Sequence, residues 1–279
     1  MFTKLLKHEW KSTGKLLGIL SLGALGIGVL AAVVLRLLVT YGEAAWDSDS
    51  VLVLVIPMLG MMLFFMFLGL VVYSVGTMIY LLIRFYKNKF TDEGYLTFTL
   101  PVNSRQIFLS SAVYILVWQV ISGLVVAVAV GIAILFGTAQ NGTINTEILR
   151  TLEFTVSEFS WFFGVEEYEG YLFMHILKAI AAWLATTVVM MTCVTVGAVA
   201  AKRHKLLAAI GIYYGANIVI NGITGVVSFA VMLMSAATES YYKSVLIGGA
   251  VVEVLLQIGL ILGGYFLSTY LMKNKLNLP

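Results

Sequence analysis

Apolar residues dominate this chain in six long blocks, roughly 17–40, 51–83, 107–136, 171–200, 206–236 and 244–272. Charged residues gather in the stretches between them. Each block is at least as long as the ~20 apolar residues that cross a hydrocarbon core about 30 Å thick. The alternating ten-residue pattern of a membrane β-barrel is absent. Lipid offers no partner for a free backbone N–H or C=O, so blocks of this kind must be helices. The pattern predicts an all-α integral membrane protein with six transmembrane helices. No Pro- or Ser-rich linker, low-complexity segment or clear internal repeat divides it, so residues 1–279 read as a single transmembrane domain.

Composition agrees: 61% of the 279 residues are hydrophobic and 11% are charged, with a mean hydropathy of +0.99. Soluble domains carry about 25% charged residues. The net charge of +3 matters less than its placement. Thirteen of the 17 Lys and Arg residues fall on one side: Lys4, Lys7, Lys11, Lys15, Arg84, Lys87, Lys89, Arg105, Lys202, Arg203, Lys205, Lys273 and Lys275. Arg36, Arg150, Lys178 and Lys243 fall on the other, with ten of the acids. By the positive-inside rule both termini are cytoplasmic. Cys193 is the single cysteine and lies in an apolar block, so there is no disulfide framework.

The N-terminus, "MFTKLLKHEWKSTGK", is amphipathic. Phe2, Leu5, Leu6 and Trp10 share one helical face, and Lys4, Lys7, His8 and Lys11 occupy most of the rest. Such a segment predicts an interfacial helix over 1–15. The apolar run after it is too long for a cleaved signal peptide.

The second block, Val51 to Ile83, would reach roughly 50 Å as a helix, well beyond the hydrocarbon core. Tilt absorbs part of the excess. The rest predicts a helical stalk, matched by the over-long third block. Between them, the 84–106 loop contains "TDEGYLTFTLPVNSRQ". Thr91 suits an N-cap, and Asp92 and Glu93 suit a first helical turn. Tyr95, Leu96 and Phe98 are too apolar for a free loop. Pro101 stops what precedes it, and Asn103 or Ser104 can cap the next helix. Two readings stand: a short helix displaying acids and aromatics, or a surface hairpin with its aromatics tucked against its own stalks.

"FTDEGYLTFTLPVNSRQIFLSS", Phe90 to Ser111, together with "FTKLLKHEWK", Phe2 to Lys11, resembles the permease subunit of ABC transporters of the ABC-2 type. The topology resembles that family over the whole chain, the sharper motif over about twenty residues. The resemblance implies that the 84–106 segment is a cytoplasmic coupling loop docking on a separate ATP-binding subunit. Its contacts would come from Asp92, Glu93, Tyr95, Leu96 and Phe98. It implies an assembly with a second copy of the chain or a paralogous permease. ATP and magnesium would sit on the partner, with no cofactor on this chain. Among relatives, the small size resembles exporters of amphipathic peptides, such as phenol-soluble-modulin and lantibiotic systems, in a bacterial cytoplasmic membrane.

The chain shows no phosphate-binding loop of its own: Gly14-Lys15 is followed by Leu16, and no glycine stands five residues earlier. "HEWKS" lacks the second histidine of a zinc-protease motif. His8, His175 and His204 are scattered, and no metal cluster or nucleic-acid signature is visible. The chain therefore reads as a transport subunit rather than an enzyme. Asn141-Gly142-Thr143 fits a glycosylation sequon, a pattern frequent by chance.

Lys178 and Glu253 lie at similar depth in the fourth and sixth blocks, with opposite sign. Intramembrane charges cost on the order of 3 kcal/mol each on insertion scales, and usually pair or line a wet cavity. His175 and Gln257 extend each polar face by one turn. Three readings stand: a structural pair, a substrate-facing role, or a snorkelling lysine beside a hydrated acid. In the fifth block, Gly211, Gly215, Gly222 and Gly225 accompany Asn217 and Asn221, which suits close helix packing or a homodimer seam beside a transport path. The 137–170 segment mixes aromatics with glutamates and predicts extracellular interfacial helices or a lid. Peptide export, lipid or drug efflux, ion-driven secondary transport and a non-transporting membrane scaffold all remain functional readings. Secondary transport predicts helix breaks in matching halves, and Pro57 has only a loose counterpart in Gly222.

Overall fold

A computed structural model describes residues 2–42, 52–91, 103–139, 169–201, 203–237 and 242–274. They form six helices: α1 Phe2–Tyr41, α2 Leu52–Phe90, α3 Ser104–Gly137, α4 Glu169–Ala200, α5 Lys205–Ala237 and α6 Tyr242–Asn274. All six are long and apolar enough to cross a membrane. Their outward faces are apolar too: Leu54, Phe64, Ile218 and Val226 are each more than half exposed. A surface of this kind suits lipid and not water, and the chain reads as a multi-pass membrane protein. Buried hydroxyls bond back to their own helices, as with Thr187 to the Trp183 carbonyl and Thr195 to the Met191 carbonyl.

One expectation changes. α1 runs without interruption from Phe2, so residues 2–15 of the amphipathic segment continue into the first span instead of forming a separate helix. Trp10 on that segment also stacks on Trp118 of α3, with ring centroids 5.1 Å apart. By packing, the described helices fall into two compact units.

One unit takes in Lys7–Tyr80 and Val117–Glu158. Here α1 lies against α2 and α3 around Ala24, Leu70 and Ala129. Small residues set the spacing: a Cβ on Gly28 would stand 2.7 Å from the Ala129 backbone. The Ser21 and Tyr73 hydroxyls bond across α1 and α2 at 2.7 Å.

The other unit takes in Met1–Leu6, Leu81–Leu116 and Phe159–Pro279. It contains α4, α5 and α6, the last turns of α2 and the first turns of α3. Phe85, Phe90 and Phe108 interlock edge to face, and Phe108 meets Tyr265 of α6 at 6.0 Å between centroids. Phe90 and Phe108 are almost fully buried. At 39 residues α2 spans about 58 Å, so the over-long second block is a single helix. The Thr91 hydroxyl donates to the Lys87 carbonyl and closes α2; the short helix it was expected to cap lies outside the described residues. The Asn103 carbonyl accepts the first amide bonds of α3, from Gln106 and Ile107.

Candidate functional site

Helices α4, α5 and α6 each bring one polar side chain to a common point. Their close approach is set by glycines. A Cβ on Gly264 of α6 would stand 2.8 Å from Thr192 Oγ1 and 2.9 Å from Val188 Cγ1 of α4. A Cβ on Gly249 would stand 2.6 Å from Val231 Cγ2 of α5. One on Gly197 of α4 would stand 2.6 Å from the Ala209 backbone of α5. No side chain larger than hydrogen fits at these crossings, so the three helix axes are drawn together.

Glu253 lies on α6 one turn beyond Gly249. Its Oε2 pairs with the Lys178 ammonium of α4. Its Oε1 accepts a hydrogen bond from Ser228 Oγ of α5 at 3.1 Å. Glu253 is mostly shielded, at 13% exposure, whereas Lys178 is 36% exposed. The acid is thus held between two helices, and the base retains an open side. A partner for each charge reduces the cost of placing it inside an apolar bundle.

The register of this contact follows from helix direction. Ser268 Oγ donates to Thr192 Oγ1 at 3.1 Å, a separation of 76 residues along the chain. The Lys178–Glu253 contact repeats that offset to within one residue. Two contacts at one offset mean that α4 and α6 run parallel. α5 connects them in the opposite direction. Sequence depth pointed to Lys178 and Glu253, but nothing in the pattern singled out Ser228, because a serine in an apolar block is ordinarily satisfied by its own helix.

The remaining candidates separate. Gln257 is half-buried one turn beyond Glu253 on α6. Asn217 donates to the Tyr213 carbonyl of its own helix at 3.0 Å and is half-buried. Asn221 is exposed on α5, and a Cβ on Gly211, Gly215, Gly222 or Gly225 would meet open space. These four glycines therefore do not pack against the α4–α6 unit. His175 lies on α4, three residues before Lys178. Of the expected interfacial residues, Leu6 is half-buried and Trp10 is held by Trp118, while Phe2 begins α1. The coupling candidates Asp92, Glu93, Tyr95, Leu96 and Phe98 lie outside the described residues, as does nearly all of 137–170. No group of three or more His, Cys, Asp or Glu able to hold a metal occurs among the described residues.

No protein-family model, curated protein or solved structure matches this chain.

Proposed function

We propose that this chain is the membrane-embedded permease subunit of an ATP-driven exporter of the ABC-2 type, working with a separate ATP-binding subunit. The observation that carries the reading is the length of α2. Its 39 residues exceed what a bilayer core requires by roughly 28 Å, and the last turn carries Lys87 and Lys89. The segment between α2 and α3 holds Asp92, Glu93, Tyr95, Leu96 and Phe98, and springs from two helix ends locked by Phe85, Phe90 and Phe108. A docking loop on a rigid base transmits force better than one on frayed ends. Phe108 against Tyr265 ties that base to α6, the helix that carries Glu253.

In this reading both termini and the α2–α3 segment face the cytoplasm of a bacterial cell, and a second permease chain completes the assembly. The cargo is an amphipathic peptide or another hydrophobic compound. The test is a search for an ATP-binding-cassette subunit encoded beside this chain, followed by co-expression with it. Wild type should co-purify with it and stimulate its ATP hydrolysis in the presence of substrate. The variant Asp92→Ala/Glu93→Ala/Tyr95→Ala/Phe98→Ala should do neither while keeping its own melting temperature. Unchanged assembly and stimulation in that variant would refute the reading.

The Lys178–Glu253 pair favours a second reading, ion-driven secondary transport, because intramembrane ion pairs often mark ion pathways. In vesicles, transport that stops with a protonophore and continues without ATP would select it.

A further inference from the structure

We propose that the cavity between the start of α3 and the end of α6 binds the phosphate of an anionic phospholipid, held by Arg105 and Lys273 together. The inference rests on no part of the transport reading, and it holds whichever leaflet this end of the bundle faces.

At this end of the unit α3 and α6 pack antiparallel. Phe108 of α3 meets Tyr265 of α6, with ring centroids 6.0 Å apart. About one helical turn outward on each helix, Ser104 and Thr269 come level. There a cavity of about 660 Å³ opens between the two helices. Arg105 lines it from α3 and Lys273 from α6, flanked by the side-chain amides of Asn103 and Asn274. Phe266 and Tyr270 line its inner side. Both helices change character at this level: α3 is apolar from Ile107 inward, and the apolar run of α6 ends at Met272. The cavity therefore straddles the depth at which headgroups meet acyl chains, where aromatic side chains such as Tyr270 also settle.

The charge in the cavity is one-sided. Among the described residues, neither Arg105 nor Lys273 has an acid partner, and the acids of this unit are Glu169 and Glu253. Glu253 precedes Thr269 by 16 residues on α6, about 24 Å along the helix. Glu169 opens α4, which runs parallel to α6, and stands farther away still. Two cations without a counter-ion suit an anion. The guanidinium of Arg105 offers a planar fork for two phosphate oxygens, and the Lys273 ammonium adds a point charge for a third. A fatty-acid carboxylate has two oxygens and fills only the fork. A zwitterionic headgroup would bring an ammonium beside two cations, with no acid to receive it. The Thr269 hydroxyl is spent on the Tyr265 and Phe266 carbonyls at 2.9 and 3.1 Å, so it offers such a group no free acceptor site of its own helix. Basic pockets between membrane helices bind anionic headgroups in this way. Phe266 and Tyr270, each more than half exposed, give the acyl stem an apolar wall that a free phosphate could not use.

The test is native mass spectrometry of the purified chain in detergent with an equimolar mixture of dioleoyl phosphatidylglycerol, dioleoyl phosphatidylcholine, dioleoyl phosphatidylethanolamine and oleate. Wild type should retain phosphatidylglycerol about fivefold or more over each of the others. An excess of inorganic phosphate or glycerol 3-phosphate should not displace it. Arg105→Gln and Lys273→Gln should each lower phosphatidylglycerol retention about fivefold, the usual worth of one basic side chain toward anionic lipid. Both side chains are exposed, so the variants should melt with wild type. Arg203→Gln removes an exposed base just before α5, outside the cavity lining, and should leave retention unchanged. Equal retention of the four lipids by wild type would overturn the proposal. So would unchanged retention in Arg105→Gln/Lys273→Gln. An equal loss in Arg203→Gln would reduce the effect to diffuse surface charge and overturn it too. Displacement by inorganic phosphate or glycerol 3-phosphate would give the cavity to a free anion and overturn the lipid assignment.

Discussion

Ser268 of α6 donates to Thr192 of α4 at a separation of 76 residues, and the same offset, to within one residue, sets Glu253 against Lys178. One parallel register thus fixes two contacts along the same pair of helices. The buried hydroxyl pair, with Gly264 beside it, pins the register. The ion pair is where that register becomes chemically consequential.

Removing one charge should therefore cost more than removing both. Lys178→Ala leaves Glu253 with Ser228 as its remaining partner, and Glu253→Ala leaves an ammonium inside the bundle. Each should lower stability by about 1–3 kcal/mol, below the figure for a fully buried pair because Lys178 is partly open. Lys178→Glu/Glu253→Lys should recover more than half of the loss. Thermal denaturation in detergent of the single variants and the exchange variant measures this, and equal melting temperatures throughout would dismiss the coupling.

Glycines that touch neighbours should respond opposite to glycines that do not. Gly28→Ala and Gly197→Ala place a methyl 2.7 and 2.6 Å from backbone atoms of Ala129 and Ala209. Overpacking of this kind costs typically 1–3 kcal/mol. Gly26→Ala and Gly263→Ala meet open space and should be neutral or gain a few tenths of a kcal/mol from helix propensity. Melting temperatures of the four variants separate the two classes.

The base of the α2–α3 segment should behave as core and the segment itself as interface. Phe108→Ala empties an almost fully buried site in the aromatic cluster and should cost about 3–5 kcal/mol. Tyr95→Ala and Phe98→Ala should leave the melting temperature within a degree or two of wild type. If the segment docks on an ATPase, they should weaken co-purification by an amount equivalent to 2 kcal/mol or more, as aromatic hot spots commonly do. A large loss of thermal stability in the loop variants would favour the tucked-hairpin arrangement.

Membrane orientation can be tested against the placement of Lys and Arg. Cys193 is buried, so its background labelling should be low. A cysteine introduced at Ser48 or Thr143 should react with an impermeant thiol reagent applied to intact cells. One at Asn103 or His204, both exposed, should react only after the membrane is opened. Labelling of Asn103→Cys in intact cells would reverse the orientation and remove the basis for a cytoplasmic coupling loop.

Six helices and their approximate extents were legible in the chain because an apolar block of membrane-crossing length has no alternative to helix in lipid. The excess length of α2 was legible for the same reason, since 1.5 Å per residue converts a count directly into a height. Lys178 and Glu253 stood out because a charge in an apolar block is rare, and their opposite signs at similar depth suggested each other. Sequence alone could not decide that Ser228 completes the contact, that Trp10 rests on Trp118, or that residues 2–15 run straight on into the first span. Nor could it tell which glycines pack: Gly28, Gly197, Gly249 and Gly264 meet neighbours, whereas Gly211, Gly215, Gly222 and Gly225 meet none. Hydropathy records how much a residue prefers lipid or protein to water. Inside a bilayer that preference hardly distinguishes lipid from a neighbouring helix, so which face packs is settled by close fit and hydrogen bonding between segments far apart in the chain.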